Sequence, residues 1–98
     1  MLGPKGPVNR FGGADLLTWA RHQLGVARDI LDNPGGGLLF ATQTIGQVKA
    51  GLVEQGKGQY DAIVELLTDA EERAVHRHFG AARDRLVEAL DKLPTPVA

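Results

Sequence analysis

The chain has 98 residues, the length of a single domain, and its 43% hydrophobic and 23% charged residues are typical of a globular one. A formal net charge of −1 excludes a large field that would attract nucleic acid or an anionic membrane from a distance. The sequence contains neither cysteine nor serine, which excludes disulfides, thiolate metal sites and catalysis by a cysteine or serine nucleophile.

Residues 1–13 are interpreted as a flexible N-terminal arm. Pro4, Pro7 and a pair of glycines interrupt the unbroken apolar stretch that a signal peptide would need. No segment reaches the roughly 18 apolar residues expected of a membrane span. We therefore expect a cytoplasmic protein, with export or assembly into a particle as the alternatives.

Four segments of residues 14–93 show helical periodicity, and none alternates with the period of two that strands require. This pattern predicts an all-α fold, a small bundle of three long helices and one short helix. The helices are predicted at about 14–32, 38–55, 59–67 and 69–93, and residues 94–98 form a C-terminal tail.

The first predicted helix has one apolar half, and Gln23 is a polar exception near its centre. Asn33 and Pro34 end this helix, because proline disfavours helical geometry in the residue before it. The glycines of the following segment DNPGGG raise the possibility of a phosphate-binding loop. The lysine and the preceding strand of a P-loop are missing, so we predict a simple turn at residues 32–37.

The second predicted helix has a wide apolar arc, which indicates packing against two neighbours. Lys49 lies near the middle of this arc, and Phe40 lies on the polar side. A buried lysine would lose its proton readily and could act as a nucleophile or hold an anion. We favour the alternative that its stem covers apolar surface while the ammonium reaches water. Lys49 is also placed to meet Gln23 in one polar contact that fixes the helix register.

The boundary between the third and fourth helices is predicted at Thr68. The sequence TDAE matches a capping box, with Thr68 as N-cap and Glu71 three residues later. One continuous helix is the alternative, but it would be roughly 55 Å long at 1.5 Å per residue, too long for a compact domain of this size. We expect two helices.

The fourth predicted helix carries a regular apolar seam with spacings of three and four residues. Its members are Val75, Phe79, Ala82, Leu86, Ala89 and Leu93. Basic residues such as Arg83 flank the seam, so two copies meeting symmetrically would oppose like charges. The seam is therefore expected to pack within its own chain or against an acidic partner.

The histidines are not expected to form a metal site, because His76 and His78 would point about 160° apart on a helix. The basic residues of the last helix could contact nucleic acid, but acidic residues on the same helix cancel much of their potential.

Glycines inside predicted helices cost about 1 kcal/mol each relative to alanine, so some of them should have a steric role. These are Gly25, Gly46, Gly51 and Gly80. Gly46 lies in a row of small residues with Thr42 and Ala50, where a neighbouring backbone could approach closely.

Together these patterns predict a non-enzymatic helical protein–protein interaction module, a subunit or adaptor of a larger or homo-oligomeric assembly. No catalytic residue, cofactor, metal or small-molecule ligand is expected. The candidate interaction residues are Gln23, Phe40, Lys49, Val75, Phe79, Arg83 and Leu86. The alternatives are a small regulatory nucleic-acid-binding protein that uses the basic flanks of the last helix, and a ligand-binding or enzymatic site around a buried lysine.

Overall fold

Four α-helices make up residues 15–94, the part of the chain that the computed structural model describes. The helices are α1 (Leu16–Asp32), α2 (Leu38–Gly56), α3 (Asp61–Val75) and α4 (Phe79–Lys92). No strand occurs in this region, so the predicted all-α bundle is confirmed.

The predicted arm at 1–13 lies outside the described residues, as does the predicted tail except for Pro94. The first two helices lie close to their predicted positions. The third helix is longer than predicted and the fourth is shorter, so the bundle has four helices of similar length rather than three long ones and one short one.

The predicted helix boundary at Thr68 is wrong, because α3 continues for seven more residues to Val75. The Thr68 hydroxyl does not cap a helix; it donates a hydrogen bond of 3.0 Å to the carbonyl of Val64 in the preceding turn. A threonine can make this bond inside a helix as readily as it can cap one, and TDAE therefore resembled a capping box.

The true boundary between α3 and α4 is a tight corner at residues 76–78. The His78 N–H donates to the Arg73 carbonyl at 2.8 Å, and the Arg77 N–H donates to the Ala74 carbonyl at 3.0 Å. This is the hydrogen-bond pattern of a Schellman motif, in which the residue after the helix cap adopts a left-handed conformation. Arg77 occupies that position, with φ of 64°, where glycine is the usual residue.

The glycine segment between α1 and α2 forms a turn, as predicted. The Gly37 N–H donates to the Pro34 carbonyl at 2.6 Å, and Gly35 adopts φ of 50°. Gly37 is the N-cap of α2 and lies against the end of α1, since a Cβ at this position would lie 2.9 Å from Cγ2 of Ile30. The glycines therefore allow the chain to reverse within five residues and bring α2 against α1.

Each helix packs against two others, in the cyclic order α1, α2, α3, α4. Sequential helices are joined by connections of three to five residues, which is typical of an antiparallel bundle. The wide apolar arc of α2 accordingly contacts both α1 and α3, as its pattern predicted.

Contacts at both ends of α1 and α4 close this cycle. Near the start of α1, Arg21 Nη2 donates to the carbonyls of Leu93 and Pro94 at 3.0 and 3.2 Å. At the end of α1, Asp32 forms an ion pair with Arg83 in the first turns of α4. The start of one helix therefore lies beside the end of the other, so α1 and α4 are antiparallel.

The core combines large aliphatic side chains with alanines, which allow the helices to approach closely. All four helices contribute one buried row each, which in α4 extends to its C-cap Leu93, and every row has spacings of three and four residues. The rows are Ala20, Leu24, Ala27 and Leu31; Ala41, Ile45, Val48 and Leu52; Ile63, Leu67, Ala70 and Ala74; and Ala82, Leu86, Ala89 and Leu93. Because these rows face inward, a binding site would have to lie on the outward sides of the helices.

Candidate functional site

The outward surface between α2 and α3, here called the α2–α3 face, contains the largest share of the exposed apolar side chains. Its α2 residues recur every three or four positions and share one side of that helix. They are Leu39, Thr42, Gly46, Lys49 and Val53. Its α3 residues are Thr68, Glu71, Glu72 and Val75. At one end, Thr42, His76 and these α3 residues line an open groove of about 370 Å³.

Exposed apolar side chains lie at both ends of the α2–α3 face. Leu39 and Val75 are 69% and 64% exposed at the end where α2 begins and α3 ends. Val53 is 56% exposed near the end of α2. A globular domain gains no stability from large apolar groups in water, so these side chains make the α2–α3 face the candidate contact surface.

An ion pair occupies the middle of this face. The Nζ atom of Lys49 lies 2.5 Å from Oε1 of Glu71, and the two side chains are 25% and 26% exposed. The other carboxylate oxygen of Glu71 lies 3.4 Å from the position that a Cβ would take at Gly46. The neighbour that approaches the small residues of α2 is thus a carboxylate rather than the predicted backbone. Lys49 is therefore partly exposed and paired with Glu71, whereas the favoured interpretation placed its ammonium in water without a partner.

The predicted contact between Gln23 and Lys49 is wrong, because Lys49 pairs with Glu71 instead. Within residues 15–94 no hydrogen bond joins Gln23 to Lys49. Gln23 lies on α1, which packs against the side of α2 that carries Gly51. Lys49 lies on the opposite side of α2, next to α3. A helical projection could show that both residues are polar exceptions, but not that they face different neighbours.

Phe40 is 56% exposed at the start of α2, beside the glycine turn. It follows Leu39 directly, so the two side chains point about 100° apart around the helix. Phe40 lies three turns before Gly51 and therefore on the α1 side of α2. It extends the apolar surface around the end of α2 but is not part of the α2–α3 face.

The predicted apolar seam of the last helix is divided between two helices. Its members from Ala82 onward are buried within the chain, including Leu86, and Phe79 packs against the core while partly exposed. Val75 is not part of this seam, because α3 ends there before the corner. Arg83 is ion-paired with Asp32 and helps to join α4 to α1. Of the α4 candidates, Leu86 is therefore part of the core.

The corner places His76 and His78 closer than a helix would allow. Their ring centroids are 6.5 Å apart and the ring planes are inclined by 33°. The prediction that the rings diverge is wrong, because it assumed that residues 76–78 are helical. Within the described region, no three side chains of histidine, aspartate or glutamate are grouped in a way that could hold a metal ion.

An exposed acidic row runs along the outward side of α3, next to the α2–α3 face. Asp61, Glu65 and Glu72 occupy positions i, i+4 and i+11, which share one side of a helix. All three are exposed, and none takes part in an ion pair within residues 15–94. Sequence reasoning missed this row because it divided α3 at Thr68 and assigned its residues to two helices.

Comparison of the chain with protein-family models, with curated proteins and with solved structures gives no match. None of the helices between residues 15 and 94 has the length and apolar character needed to cross a membrane. The geometry of the bundle is therefore the basis for a functional proposal.

Proposed function

We propose that the protein is a non-enzymatic helical interaction module, a subunit or adaptor of a larger assembly, and that the α2–α3 face is its contact surface. One observation carries the proposal. Of the four large apolar side chains that are most exposed in residues 15–94, Leu39, Val53 and Val75 border this face and Phe40 adjoins it. We expect the protein to act in the cytoplasm.

The charges of α4 favour this function over nucleic-acid binding. Arg83 and Arg85 are two of the basic residues expected to approach phosphates, and they are paired with Asp32 and Glu88. A paired arginine releases fewer counterions on binding nucleic acid, so it contributes less affinity. A nucleic-acid-binding role therefore has less support.

The ion pair of Lys49 similarly weakens the third function, an enzyme or ligand-binding site based on a buried lysine. Nucleophilic lysines are activated by an apolar pocket or by a neighbouring cation. Lys49 is instead paired with the carboxylate of Glu71.

Site-specific photo-crosslinking in the native cell tests the proposed function. A photoreactive phenylalanine analogue at Leu39 or Val75 is expected to crosslink to a protein. The same analogue at Asp84, an exposed position on α4, provides the matched control and is expected to give little crosslinking. Equal crosslinking at all three positions, or none at Leu39 and Val75, would contradict the proposal.

Light scattering separates this function from nucleic-acid binding. Association that depends on protein concentration and does not respond to added DNA agrees with an interaction module. A mobility shift of labelled DNA that weakens with salt would instead support the alternative.

A further inference from the structure

Resting on the proposed function, we infer that the α2–α3 face binds a single amphipathic helix whose apolar stripe is flanked by basic residues. The face is formed by two antiparallel helices side by side, and a third helix packs naturally into the groove between two others. From Leu39 to Val53 the face is about 21 Å long at 1.5 Å per residue, equal to roughly four turns of a bound helix.

The side chains along the groove match such an occupant. Thr42 on α2 and Thr68 on α3 are small, so they allow a helix to approach the face beside the Lys49–Glu71 ion pair. Exposed apolar residues lie at both ends of the face, Leu39 and Val75 at one end and Val53 at the other. They are placed to contact apolar positions three to four turns apart on the partner helix.

The charged residues of the face favour a partner of positive charge. Lys49 is its one basic residue and is neutralised by Glu71. Asp61, Glu65 and Glu72 line the α3 side without an ion pair among the described residues, and α2 presents the uncharged Gln43 and Gln47 on its outward side. Opposite charges across an interface increase the association rate and the specificity. The partner is therefore expected to carry lysine or arginine along the flank that meets α3.

The same charges disfavour other occupants. A second copy that presented the same face would bring like acidic rows together, and this opposition costs binding free energy. Nucleic acid and anionic membranes carry negative charge and are repelled as well. His76 and Arg77 lie beyond Val75 at one end of the face. The positive charges of the partner are therefore expected along the acidic row from Asp61 to Glu72 and not beyond Val75.

Two synthetic helical peptides of about 21 residues, three heptads with leucine at the a and d positions, test this inference. One carries lysine at the flanking positions, and the other carries glutamate. Each is titrated into the full chain by calorimetry, and its binding surface is mapped by NMR chemical-shift changes. We expect the lysine peptide to bind about tenfold or more tightly than the glutamate peptide and to shift residues of α2 and α3.

Charge-reversal variants supply the matched comparison. The double variant Glu65→Lys/Glu72→Lys is expected to weaken binding of the lysine peptide about tenfold. The double variant Asp84→Lys/Asp91→Lys makes the same charge change on exposed positions of α4 and is expected to change binding less than about twofold. Circular dichroism confirms that both variants fold, which is expected because all four positions are exposed.

The outcomes separate this inference from the proposed function. Equal binding of both peptides to the α2–α3 face, or an equal loss in the two charge-reversal variants, overturns the basic partner but leaves an interaction surface. Self-association through this face would likewise overturn the basic partner and leave the face as an interaction surface. If neither peptide shifts α2 or α3, the basic-helix inference is overturned, and crosslinking at Leu39 then decides separately whether the proposed function stands.

Discussion

The indole ring of Trp19 occupies the space that a side chain at Gly51 would need. Atom Cζ3 of Trp19 lies 2.9 Å from the position of a Cβ at residue 51, a separation that real Cβ atoms almost never show. The glycine thus allows α1 to pack closely against α2, at a cost in helix propensity of about 1 kcal/mol.

Alanine substitutions at Gly51 and Gly25 are therefore expected to have opposite effects. Gly51→Ala should destabilise the protein by about 1–2 kcal/mol, because the rigid indole ring must move. Gly25 has no atom within 4 Å of its Cβ position, so Gly25→Ala should stabilise α1 by up to about 1 kcal/mol. Urea unfolding of both variants measures the difference. A stabilising Gly51→Ala would show that α1 and α2 are not packed in this way.

The left-handed conformation of Arg77 predicts that a glycine there stabilises the α3–α4 corner. Arg77→Gly should raise the free energy of unfolding by about 1 kcal/mol, because a residue without Cβ adopts this conformation without steric cost. Arg77→Ala removes the same charge but keeps a Cβ, so it provides the control and should change stability by less than about 0.5 kcal/mol. Thermal unfolding checks both variants, and equal effects would assign the change to charge instead of conformation.

The ion pair of Lys49 and Glu71 is expected to show a measurable coupling in a double-mutant cycle. Lys49→Met, Glu71→Gln and the double variant should give a coupling energy of about 1 kcal/mol, since both side chains are mostly shielded from water. Arg73 and Asp69 form a more exposed pair on α3, for which about 0.3–0.5 kcal/mol is expected. Chemical denaturation measures both cycles. Coupling at Lys49 no greater than at Arg73 would show that burial adds nothing to this pair.

Lys49→Met also separates folding from function. If it stabilises the protein strongly and leaves assembly unchanged, Lys49 is needed neither for folding nor for assembly. The alternative of a ligand-binding or enzymatic site around this lysine then gains support. A loss of partner binding with unchanged stability would instead assign Lys49 to the contact surface.

The N-cap of α1 predicts a specific pH dependence. The Thr18 N–H donates to Oδ1 of Asp15 at 2.8 Å, and this bond holds the pKa of the Asp15 carboxyl below its ordinary value of 3.8. A carboxyl whose pKa is lower in the folded state stabilises the protein above its unfolded pKa, and this contribution is lost as pH falls through the folded value. Asp15→Ala should therefore lower the unfolding midpoint at pH 7, and the difference from the parent should shrink toward pH 3.

The same comparison with Asp84→Ala provides the control, since Asp84 is exposed on α4 and caps no helix. A difference for Asp15→Ala that persists unchanged at pH 3 would contradict the role of the charged cap.

The sequence was sufficient to predict the fold class and both ends of α1 and α2 to within a few residues. Proline and glycine after Asp32, and glycine on both sides of Lys57, are local signals whose effect does not depend on the rest of the chain. The α3–α4 corner carries no such signal, because Arg77 takes the position where glycine is usual. A capping-box pattern at Thr68 was the stronger local signal, and the packing of α3 overrode it.

The candidate surface was predicted only in part, because it depends on contacts between residues distant in sequence. The exposure of Phe40 followed from its place on the polar side of one helix. Lys49 and Glu71 are 22 positions apart in the sequence. Lys49 contacts α3 and not α1 because of the order of the helices around the bundle, which the sequence of α2 alone does not reveal. The acidic row of α3 becomes visible only once Asp61 and Glu72 are known to belong to one helix.

The hydrogen bonds from Arg21 to the Leu93 and Pro94 carbonyls determine where a fused domain or a tandem copy would be joined to the bundle. They place the entry to α1 and the exit from α4 side by side, at the end of the bundle opposite to Leu39, Phe40 and Val75. A segment joined directly before α1 or directly after Pro94 would thus start at the far end from these side chains. Tandem copies or fusions could be linked there while the apolar end of every unit stays open to a partner.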